Sequence, residues 1–462
     1  MNAAELRASV SLASIFGLRM LGMFVILPVF AIYAEHLKGG DNLTLVGIAI
    51  GAYGLTQAIL QMPFGWLSDR YGRKPVIYCG LAIFALGSFV AALADNIYVV
   101  ILGRVVQGAG AISAALIAMT ADLTREEHRT KAMAMIGSMI GFTFALSLVA
   151  SPWLNSVIGV PGIFALTGVL ALAAMIVVYT LVPDVPVEIR TPQVRDDKAH
   201  KTHVREDTVR MYQVLRDPQL ARLNFGIFAL HAVLTALFIV VPLALRDSGL
   251  AVDHHWQIYL PVMLGSFVLM LPAILIAEGR GHVKTVFVGS IALLMFGQLS
   301  MPWLLGSSDK IIAFLLIFFT AFNVLEAMLP SLTSKLAPPG AKGIAIGAYS
   351  TVQFLGTFMG AACGGFLYQH FGARGVFVFD ALLLAAWLIC AYGMKVPAIV
   401  HTRVYTIPQL DDERTRSLLA RLEAQPGVRE VQLVAGGRTA YLRVDATGFD
   451  EQHVLRLIAG EI

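Results

Sequence analysis

The sequence predicts an all-α membrane protein of twelve membrane-spanning helices, followed by a small α+β domain at its C-terminal end. Three observations carry this prediction. The 462 residues are 57% hydrophobic and only 14% charged, whereas soluble proteins contain about 25% charged residues. Twelve apolar stretches are long enough to cross a bilayer, and the composition turns polar after Pro397. Most of the chain is therefore expected to lie in lipid.

The twelve apolar stretches follow one another with short polar connections. A spanning helix needs about 20 mainly apolar residues. The stretches of about this length are 10–34, 44–68, 75–95, 96–120, 130–155, 160–182, 219–246, 255–278, 283–305, 309–334, 341–369 and 373–396. A polar segment divides them six and six, which predicts four parts: a half-bundle at 1–182, a linker at 183–218, a half-bundle at 219–398 and a domain at 401–462.

The positive charges predict the orientation of the chain. Lys and Arg concentrate in the cytoplasmic loops of membrane proteins. One set of short loops holds ten of them: Arg70, Arg73, Lys74, Arg125, Arg129, Lys131, Arg280, Lys284, Lys335 and Lys342. The other set holds four: Lys38, Arg246, Lys310 and Arg374. The first set, the linker and both chain termini are therefore predicted to be cytoplasmic.

The loop between the second and third stretches combines one acid with three bases. The concentration of Lys and Arg in cytoplasmic loops explains the three bases of this turn but not Asp69. A carboxylate at a helix end is stabilised by a cation or by the N-terminus of another helix. The loop resembles the signature G-x-L-x-D-R-x-G-R-K of the major facilitator superfamily. Every defined position is filled, by Gly65, Leu67, Asp69, Arg70, Gly72, Arg73 and Lys74.

This resemblance covers nearly the whole chain and implies both a fold and a function. The fold is the twelve-helix major facilitator fold, with two pseudo-symmetric bundles of six helices. The function is secondary active transport by alternating access in the bacterial inner membrane, here as proton-coupled efflux, or antiport, of drugs or small metabolites. A facilitator or uniporter without proton coupling is the alternative. The implied partners are a small-molecule substrate, protons and the lipid bilayer, and the protein is expected to be a monomer.

Ionisable side chains inside the apolar stretches are the candidates for roles in transport. Placing each of them at the centre of a membrane helix costs at least ~2.5–3.5 kcal/mol of free energy, so their presence needs a reason. Four lie on the first, fourth, seventh and tenth stretches, which the resemblance implies line a central cavity: Arg19, Arg104, His231 and Glu326. Glu326 is predicted to be the principal proton carrier and His231 its helper. Cavity or substrate contacts are predicted for Arg19, Arg104, Gln107, Asn323, Gln57 and Gln353.

These residues also have structural interpretations. Arg104 is as well suited to clamp the carbonyls of neighbouring helices, and Arg19 has the same alternative. His231 is as well suited to be a neutral, hydrogen-bonded packing residue. A further ionisable residue, Asp380, is expected near the outer end of the last stretch, where water would solvate it, and it is left out of the predicted site.

The signature loop is predicted to act as a conformational latch. The resemblance implies a charge cluster of Asp69, Arg73 and Asp122, with Asp69 also facing the start of the eleventh stretch near residues 340–343. Glycines four residues apart let helices pack closely in lipid. Such glycines occur on the second stretch and on the eleventh, which the resemblance implies slide against each other: Gly47, Gly51, Gly356, Gly360 and Gly364.

The residues after 400 predict a domain of order βαββα, which is the ferredoxin-like fold without its last strand. Related domains carry a metal through Cys-x-x-Cys after the first strand, but Pro408 to Asp411 stand there, so no metal or other cofactor is expected. From His401 on, eight bases balance nine acids, which disfavours nucleic acid as a partner. A regulatory partner or ligand is the expected role, and nothing in the sequence indicates an enzyme.

Overall fold

The structure is a computed structural model. It describes residues 1–184, 214, 216–279, 281–303, 307–337, 341–394, 400–406, 412–433, 439–445 and 449–459. Most of the predicted linker, and the segment that carries Pro408 to Asp411, lie outside these residues. The chain forms two compact units, Met1–Met394 and Lys395–Ile462.

The first unit is built from long apolar helices. In the described part of the chain they are α1 Ala3–Phe24, α2 Leu27–Ala34, α3 Leu43–Tyr71, α4 Arg73–Ala92, α5 Ile97–Ala109, α6 Ser113–Asp122, α7 Glu126–Leu181, α8 Pro218–Asp247, α9 Trp256–Gly279, α10 Val283–Ser300, α11 Ser308–Leu336 and α12 Lys342–Tyr392. Short 3₁₀ helices occur at Val252–His254 and Met301–Trp303. Ten segments of the described residues are long and apolar enough to cross a membrane, with α1 and α2, and α5 and α6, each forming one segment.

Two of the helices are long enough to cross the membrane twice, and each breaks at a glycine. Gly159 in α7 has φ 67° and ψ 172°, and Gly372 in α12 has φ 65° and ψ −169°. Such angles are open to glycine but strained for a residue with a side chain. Counted on either side of the breaks, the described residues form twelve spans, as the sequence predicts. We number them in order: α7 supplies spans 5 and 6, α8 to α11 are spans 7 to 10, and α12 supplies spans 11 and 12.

Polar residues fix where several of these spans begin. Asn42 accepts hydrogen bonds from two backbone N–H groups at the start of α3, and Asp217 does the same at the start of α8. Asn96 accepts from the N–H of Val99 at the start of α5. Side-chain acceptors at this position satisfy donors that the helix leaves unpaired.

The glycines of span 2 bring it against span 11, as predicted. A Cβ added at Gly47 would lie 2.1 Å from the carbonyl oxygen of Ala361, and one added at Gly51 would lie 2.9 Å from Phe358 Cα. The three glycines of span 11 that the sequence singles out have a different neighbour. Added Cβ atoms at Gly356 and Gly360 would meet carbonyl oxygens of span 7 at 2.4 and 2.0 Å, and one at Gly364 would lie 2.9 Å from Ala236 Cα of span 7. These three glycines therefore pack span 11 within its own half, which corrects their predicted role in the contact with span 2.

The second unit contains the predicted order βαββα in its described residues. The elements are β1 Val400–Thr406, α13 Asp412–Glu423, β2 Val428–Leu433, β3 Thr439–Asp445 and α14 Glu451–Ala459. The strands form an antiparallel sheet of order β1-β3-β2. Its core contains Tyr405, Leu418, Leu422, Ala440, Leu442, Val444, Val454, Leu457 and Ile458.

Candidate functional site

Arg104 lies inside the N-terminal half and bonds to the backbone of two other spans. Its Nη1 donates to the carbonyl of Gly22 at 2.9 Å and to Gln107 Oε1 at 2.6 Å, and its Nη2 donates to the carbonyl of Ile50 at 3.4 Å. The guanidinium also lies 4.9 Å from the ring centre of Tyr53. These contacts tie α5 to spans 1 and 2, which favours the clamp interpretation of this residue.

Two glutamines extend the clamp within the same half. Gln107 donates from Nε2 to Ser88 Oγ on span 3 at 2.8 Å, and Gln57 donates from Nε2 to the carbonyl of Gly108 at 2.8 Å. Both glutamines, like Arg104, are fully buried. Because each of them bonds to other groups of this half, the contacts favour a structural role over the predicted cavity role for Arg104, Gln107 and Gln57. Their hydrogen bonds hold spans 1 to 4 together.

Arg19 is also buried but has far fewer partners. Its Nη1 donates to Ser113 Oγ, while Nε and Nη2 have no hydrogen-bond partner among the described residues. The guanidinium lies 6.0 Å from the ring centre of Phe16 and 5.7 Å from that of Phe354. Phe354 belongs to span 11, so Arg19 reaches the other half of the protein with two donor groups unused.

Glu326 and His231 come together in the C-terminal half, where they face each other from spans 10 and 7. Glu326 Oε2 lies 3.9 Å from His231 Nδ1, which is too long for a direct hydrogen bond but short enough for strong electrostatic coupling. The glutamate side chain is 24% exposed and the imidazole is 2% exposed. The glutamate side chain is thus partly exposed, although its Oε2 is buried without a hydrogen-bond partner among the described residues, and the imidazole lies buried beside it.

Gln353 determines which nitrogen of His231 carries the proton. Its amide Nε2 lies 2.8 Å from His231 Nε2. With the amide in this orientation, its nitrogen is a donor only, so His231 Nε2 must accept. The hydrogen of the neutral imidazole then sits on Nδ1, the nitrogen next to Glu326. Gln353 on span 11 therefore orients the imidazole with Nδ1 toward Glu326.

Aromatic side chains from both halves pack beside this acid–base pair. Phe322 lies one turn before Glu326, and its ring centre is 6.0 Å from that of His231 and 5.5 Å from that of Phe144 on span 5. Phe144 is also 5.0 Å from Phe24 on span 1. Asn323, next in the chain to Phe322, donates to Ser266 Oγ at 3.0 Å and is mostly buried. We call Phe24, Phe144, Phe319 and Phe322 the aromatic wall.

Sequence reasoning missed some residues of this site because it searched mainly for charges. Tyr349, one turn before Gln353 on span 11, is buried with no hydrogen-bond partner for its hydroxyl in the described structure, and it interacts electrostatically with Glu326. Ser113 and the aromatic wall were missed as well. The spacing of Tyr349 and Gln353, four residues apart on one helix face, is the signal that identifies the tyrosine.

Asp380 contradicts the expectation of a solvated residue. Its side chain is fully buried, and neither carboxyl oxygen has a hydrogen-bond partner among the described residues. It shares a face of span 12 with Phe377, Leu384 and Trp387, all of which are also buried. The face of the helix, rather than the depth in the membrane, decides the exposure of this residue.

The signature loop contains the predicted charge cluster. Arg73 bonds to Asp69, and its Nε donates to Asp122 Oδ2 at 3.0 Å. Its Nη1 also donates to Ser68 Oγ at 2.8 Å. Gly72, with φ 96°, makes the turn that places Arg73 at the start of α4. The cluster joins spans 2, 3 and 4 of one half.

The halves are apart on the side of the signature loop and in contact on the far side. Asp69 is 65% exposed, and an added Cβ at Gly343, at the start of span 11, would meet nothing within 4 Å. On the far side, Arg246 Nη1 of span 7 lies 2.6 Å from Glu35 Oε2 at the end of α2. The predicted contact of Asp69 with the start of span 11 is therefore absent from this conformation among the described residues.

Comparisons with known proteins agree with this architecture. The sequence matches the Major Facilitator Superfamily over residues 12–361 and again over 262–409. It is 41% identical to the inner membrane transport protein YajR of Escherichia coli, over 96% of each chain, and 34% identical to an uncharacterized transporter of Buchnera aphidicola, over 86% of this chain and 98% of that one. The solved structure of a D-xylose–proton symporter is similar in fold, with a TM-score of 0.64 and 18% identity, over 85% of this chain and 97% of that one.

Proposed function

This chain belongs to the Major Facilitator Superfamily, and we propose that it is a proton-coupled exporter of drugs or small metabolites in the bacterial inner membrane. It is a membrane transporter and not an enzyme. Export against a gradient needs an energy source, and the sequence has no phosphate-binding loop of the type Gly-x-x-x-x-Gly-Lys-Ser/Thr. A proton gradient is then the natural driving force, and the chain must contain a group that takes up and releases a proton.

The observation that carries the proposal is the pairing of Glu326 with His231. Arginine stays charged at all working pH values and does not exchange protons. The Glu326 side chain is 24% exposed, and the buried imidazole of His231 lies with its Nδ1 3.9 Å from Glu326 Oε2. When water has access, the carboxylate releases its proton. When the halves close over it, the protonated acid and the neutral imidazole leave no net charge in the interior.

The surroundings of the pair support a substrate with a large apolar part. The aromatic wall reaches from Phe24 in one half to Phe322 in the other and is buried in this conformation, so a ligand contacts it after the halves move apart and then touches both of them. Arg19 supplies two unused donors on the remaining side. A ligand that competes with the proton at Glu326 would then link its own release to protonation, which is the basis of antiport.

The test is Glu326→Gln in everted membrane vesicles with a pH-sensitive dye and a panel of candidate compounds. The glutamine keeps the shape but holds no exchangeable proton, so we expect proton-coupled export to be abolished while downhill exchange of a transported compound continues. Asp41→Asn, at an exposed position on the far side, is the matched control and should behave as wild type. A glutamine variant that still changes the lumenal pH on addition of substrate would place the carrier elsewhere, and a wild type without proton flux would indicate a facilitator.

We further propose that the signature-loop side is cytoplasmic, together with both termini, and that the ferredoxin-like unit regulates transport or recruits a partner. The protein is proposed to act as a monomer. A single cysteine introduced by Asp41→Cys should react with a membrane-impermeant reagent from the outside only. Labelling only from the inside would overturn this orientation. Deletion of 401–462 should leave a core that still inserts into the membrane, whereas loss of insertion would contradict an accessory role.

A further inference from the structure

The three bases of the signature loop have different partners. Arg73 bonds to Asp69, and Lys74 Nζ lies 2.9 Å from Asp184 Oδ1. Arg70 is exposed and forms no ion pair with the residues that the structure describes. Its positive charge therefore remains open to a partner from outside the chain.

Two aromatic rings surround the guanidinium of Arg70. The guanidinium lies 5.4 Å from the ring centre of Trp66 and 5.7 Å from that of Tyr71. These side chains are 58% and 61% exposed. A ring attracts a cation without neutralising its charge, and Trp and Tyr are enriched at the level of the lipid headgroups. The rings therefore hold a full positive charge at the membrane–water boundary.

An exposed apolar face of span 2 leads up to this cluster. Ile59, Met62, Trp66 and Arg70 follow one another at intervals of three, four and four residues, which places them on one face of the helix. Ile59 and Met62 are exposed like Trp66, whereas Gln61, on the other side of the helix, is buried. In a membrane-spanning helix, an exposed apolar face lies against acyl chains. The face that ends at Arg70 is therefore the one that meets the lipid.

We propose that Arg70, Trp66 and Tyr71 bind the phosphate of an anionic phospholipid, whose acyl chains lie along Ile59 and Met62. The lipid belongs to the leaflet on the signature-loop side. The planar guanidinium presents pairs of N–H donors that match two oxygens of a phosphate. The apolar face below it accepts the chains of the same molecule, so the headgroup and the chains are bound together.

An anionic lipid fits this place better than a zwitterionic lipid or a soluble phosphate. The ammonium group of a zwitterionic headgroup would need an acid beside the phosphate, and the adjacent Asp69 already bonds to Arg73. A headgroup with a net negative charge has no such need. A soluble phosphate would leave the apolar face unused. The charge of Arg70 and the exposed face together therefore select a lipid.

The lipid site is separate from the charge cluster of the signature loop and from the proposed transport site. Arg73 joins spans of one half inside the bundle, whereas Arg70 faces out of it. The loop thus uses Arg73 to build the protein and Arg70 to bind the membrane. Because neither Glu326 nor His231 takes part, this proposal does not depend on proton coupling.

Native mass spectrometry of the delipidated full-length protein tests the proposal, with palmitoyl-oleoyl phosphatidylglycerol as the probe. A basic residue near the membrane surface contributes roughly a five-fold gain in affinity for anionic lipid. Arg70→Gln should therefore weaken binding of the first lipid molecule by roughly five-fold, and Arg70→Lys, which keeps the charge without the planar fork, should weaken it less. Trp66→Leu should weaken it by roughly two-fold, because the guanidinium loses one ring.

Matched variants separate this site from general attraction of lipid. Arg374→Gln removes an exposed arginine on the far side and should leave the affinity unchanged. Trp153→Leu removes an exposed tryptophan of span 5 and should also have no effect. Equal monodispersity of all variants in size-exclusion chromatography shows that they are folded.

Three results would overturn the proposal. The first is an Arg70→Gln variant that binds phosphatidylglycerol as wild type does, or an Arg374→Gln variant that loses as much affinity. The second is equal affinity of wild type for phosphatidylcholine with the same acyl chains, which would remove the selection of an anionic headgroup. The third is displacement of the lipid by millimolar glycerol phosphate, which would make this a site for soluble phosphate.

Discussion

The two halves of the bundle bury polar side chains in opposite ways. In the N-terminal half, Arg104 and Gln107 are closed off from water and bond to carbonyls and side chains of neighbouring spans. In the C-terminal half, Glu326 is partly exposed and lies 3.9 Å from His231, with its Oε2 left without a hydrogen bond in the described structure. Several hydrogen bonds to neighbouring spans resist change, although Arg104 Nε has no partner in the described structure, whereas an unbonded carboxyl group is suited to gain or lose a proton. Hydrogen bonding therefore separates the residues suited to a structural role from those proposed for proton transfer, where charge alone does not.

Arg19 is the exception that makes this comparison testable. It lies in the N-terminal half and is buried like Arg104, yet only one of its hydrogen bonds is made. Its position in the N-terminal half favours a structural role like that of Arg104. Its two donor groups without partners favour a role in transport, as proposed for Glu326. Replacement of each arginine by methionine, which has a similar length and no charge, distinguishes the two interpretations.

The largest effect is expected for Arg104→Met. The substitution leaves the carbonyl of Gly22 and the amide of Gln107 without their donor in a dry interior. Hydrogen bonds to charged groups contribute about 1.5–3 kcal/mol each in water and less between membrane helices, so a loss of at least ~2 kcal/mol is expected. The midpoint of thermal unfolding, measured by size-exclusion chromatography after heating in detergent, should fall by several degrees. An unchanged midpoint would remove Arg104 from the clamp.

A smaller effect on stability, and a selective effect on transport, is expected for Arg19→Met. Only the bond to Ser113 is lost, at about 1 kcal/mol, and the cost of an unpaired buried charge disappears with it. The unfolding midpoint should remain equal or rise. Export of anionic compounds should fall more than export of neutral analogues of the same size, as measured in the vesicle assay. A fall in stability as large as that of Arg104→Met would make both arginines clamps.

Most of the fold follows from properties that a sequence displays directly. Runs of apolar residues locate the spans, and the charged segment 183–218 separates the two halves. The glycines at 159 and 372 fall in the gaps between predicted stretches, where the structure breaks its two longest helices. The order βαββα after residue 400 follows from alternating and helical periodicity. These features are local, so they need no knowledge of which helices touch.

The roles of the buried polar residues depend on contacts between spans and were only partly predictable. Glu326 and His231 were singled out because acids and imidazoles are rare in spans, and the structure brings them together. The clamp around Arg104 involves carbonyls of other spans, which no side-chain pattern reveals. Asp380 was misplaced because hydropathy gives its depth in the membrane but not the face it occupies on span 12.

The smallest expected effect concerns Asp69, whose predicted contact with span 11 is open in this conformation. When the halves close on the signature-loop side, the carboxylate is expected to face the N-terminus of span 11, where a negative charge contributes about 0.3–2 kcal/mol. Asp69→Asn keeps the shape and removes the charge. It should shift the ratio of closed to open molecules on this side by roughly two- to thirty-fold toward open.

Spin labels at Tyr71 and Gly343, both exposed on the signature-loop side, report this ratio as a distribution of distances. The matched control is Asp95→Asn, because Asp95 is an exposed carboxylate of the same half on the far side and should leave the distribution unchanged. The bond between Asp69 and Arg73 lies within one half, so its loss alone does not move the halves. Asp69→Asn could leave both the distance distribution and transport as in wild type. In that case the charge of the signature loop does not hold the halves together, and the clamp of Arg104 and the contacts of the far side alone set the ratio of closed to open molecules.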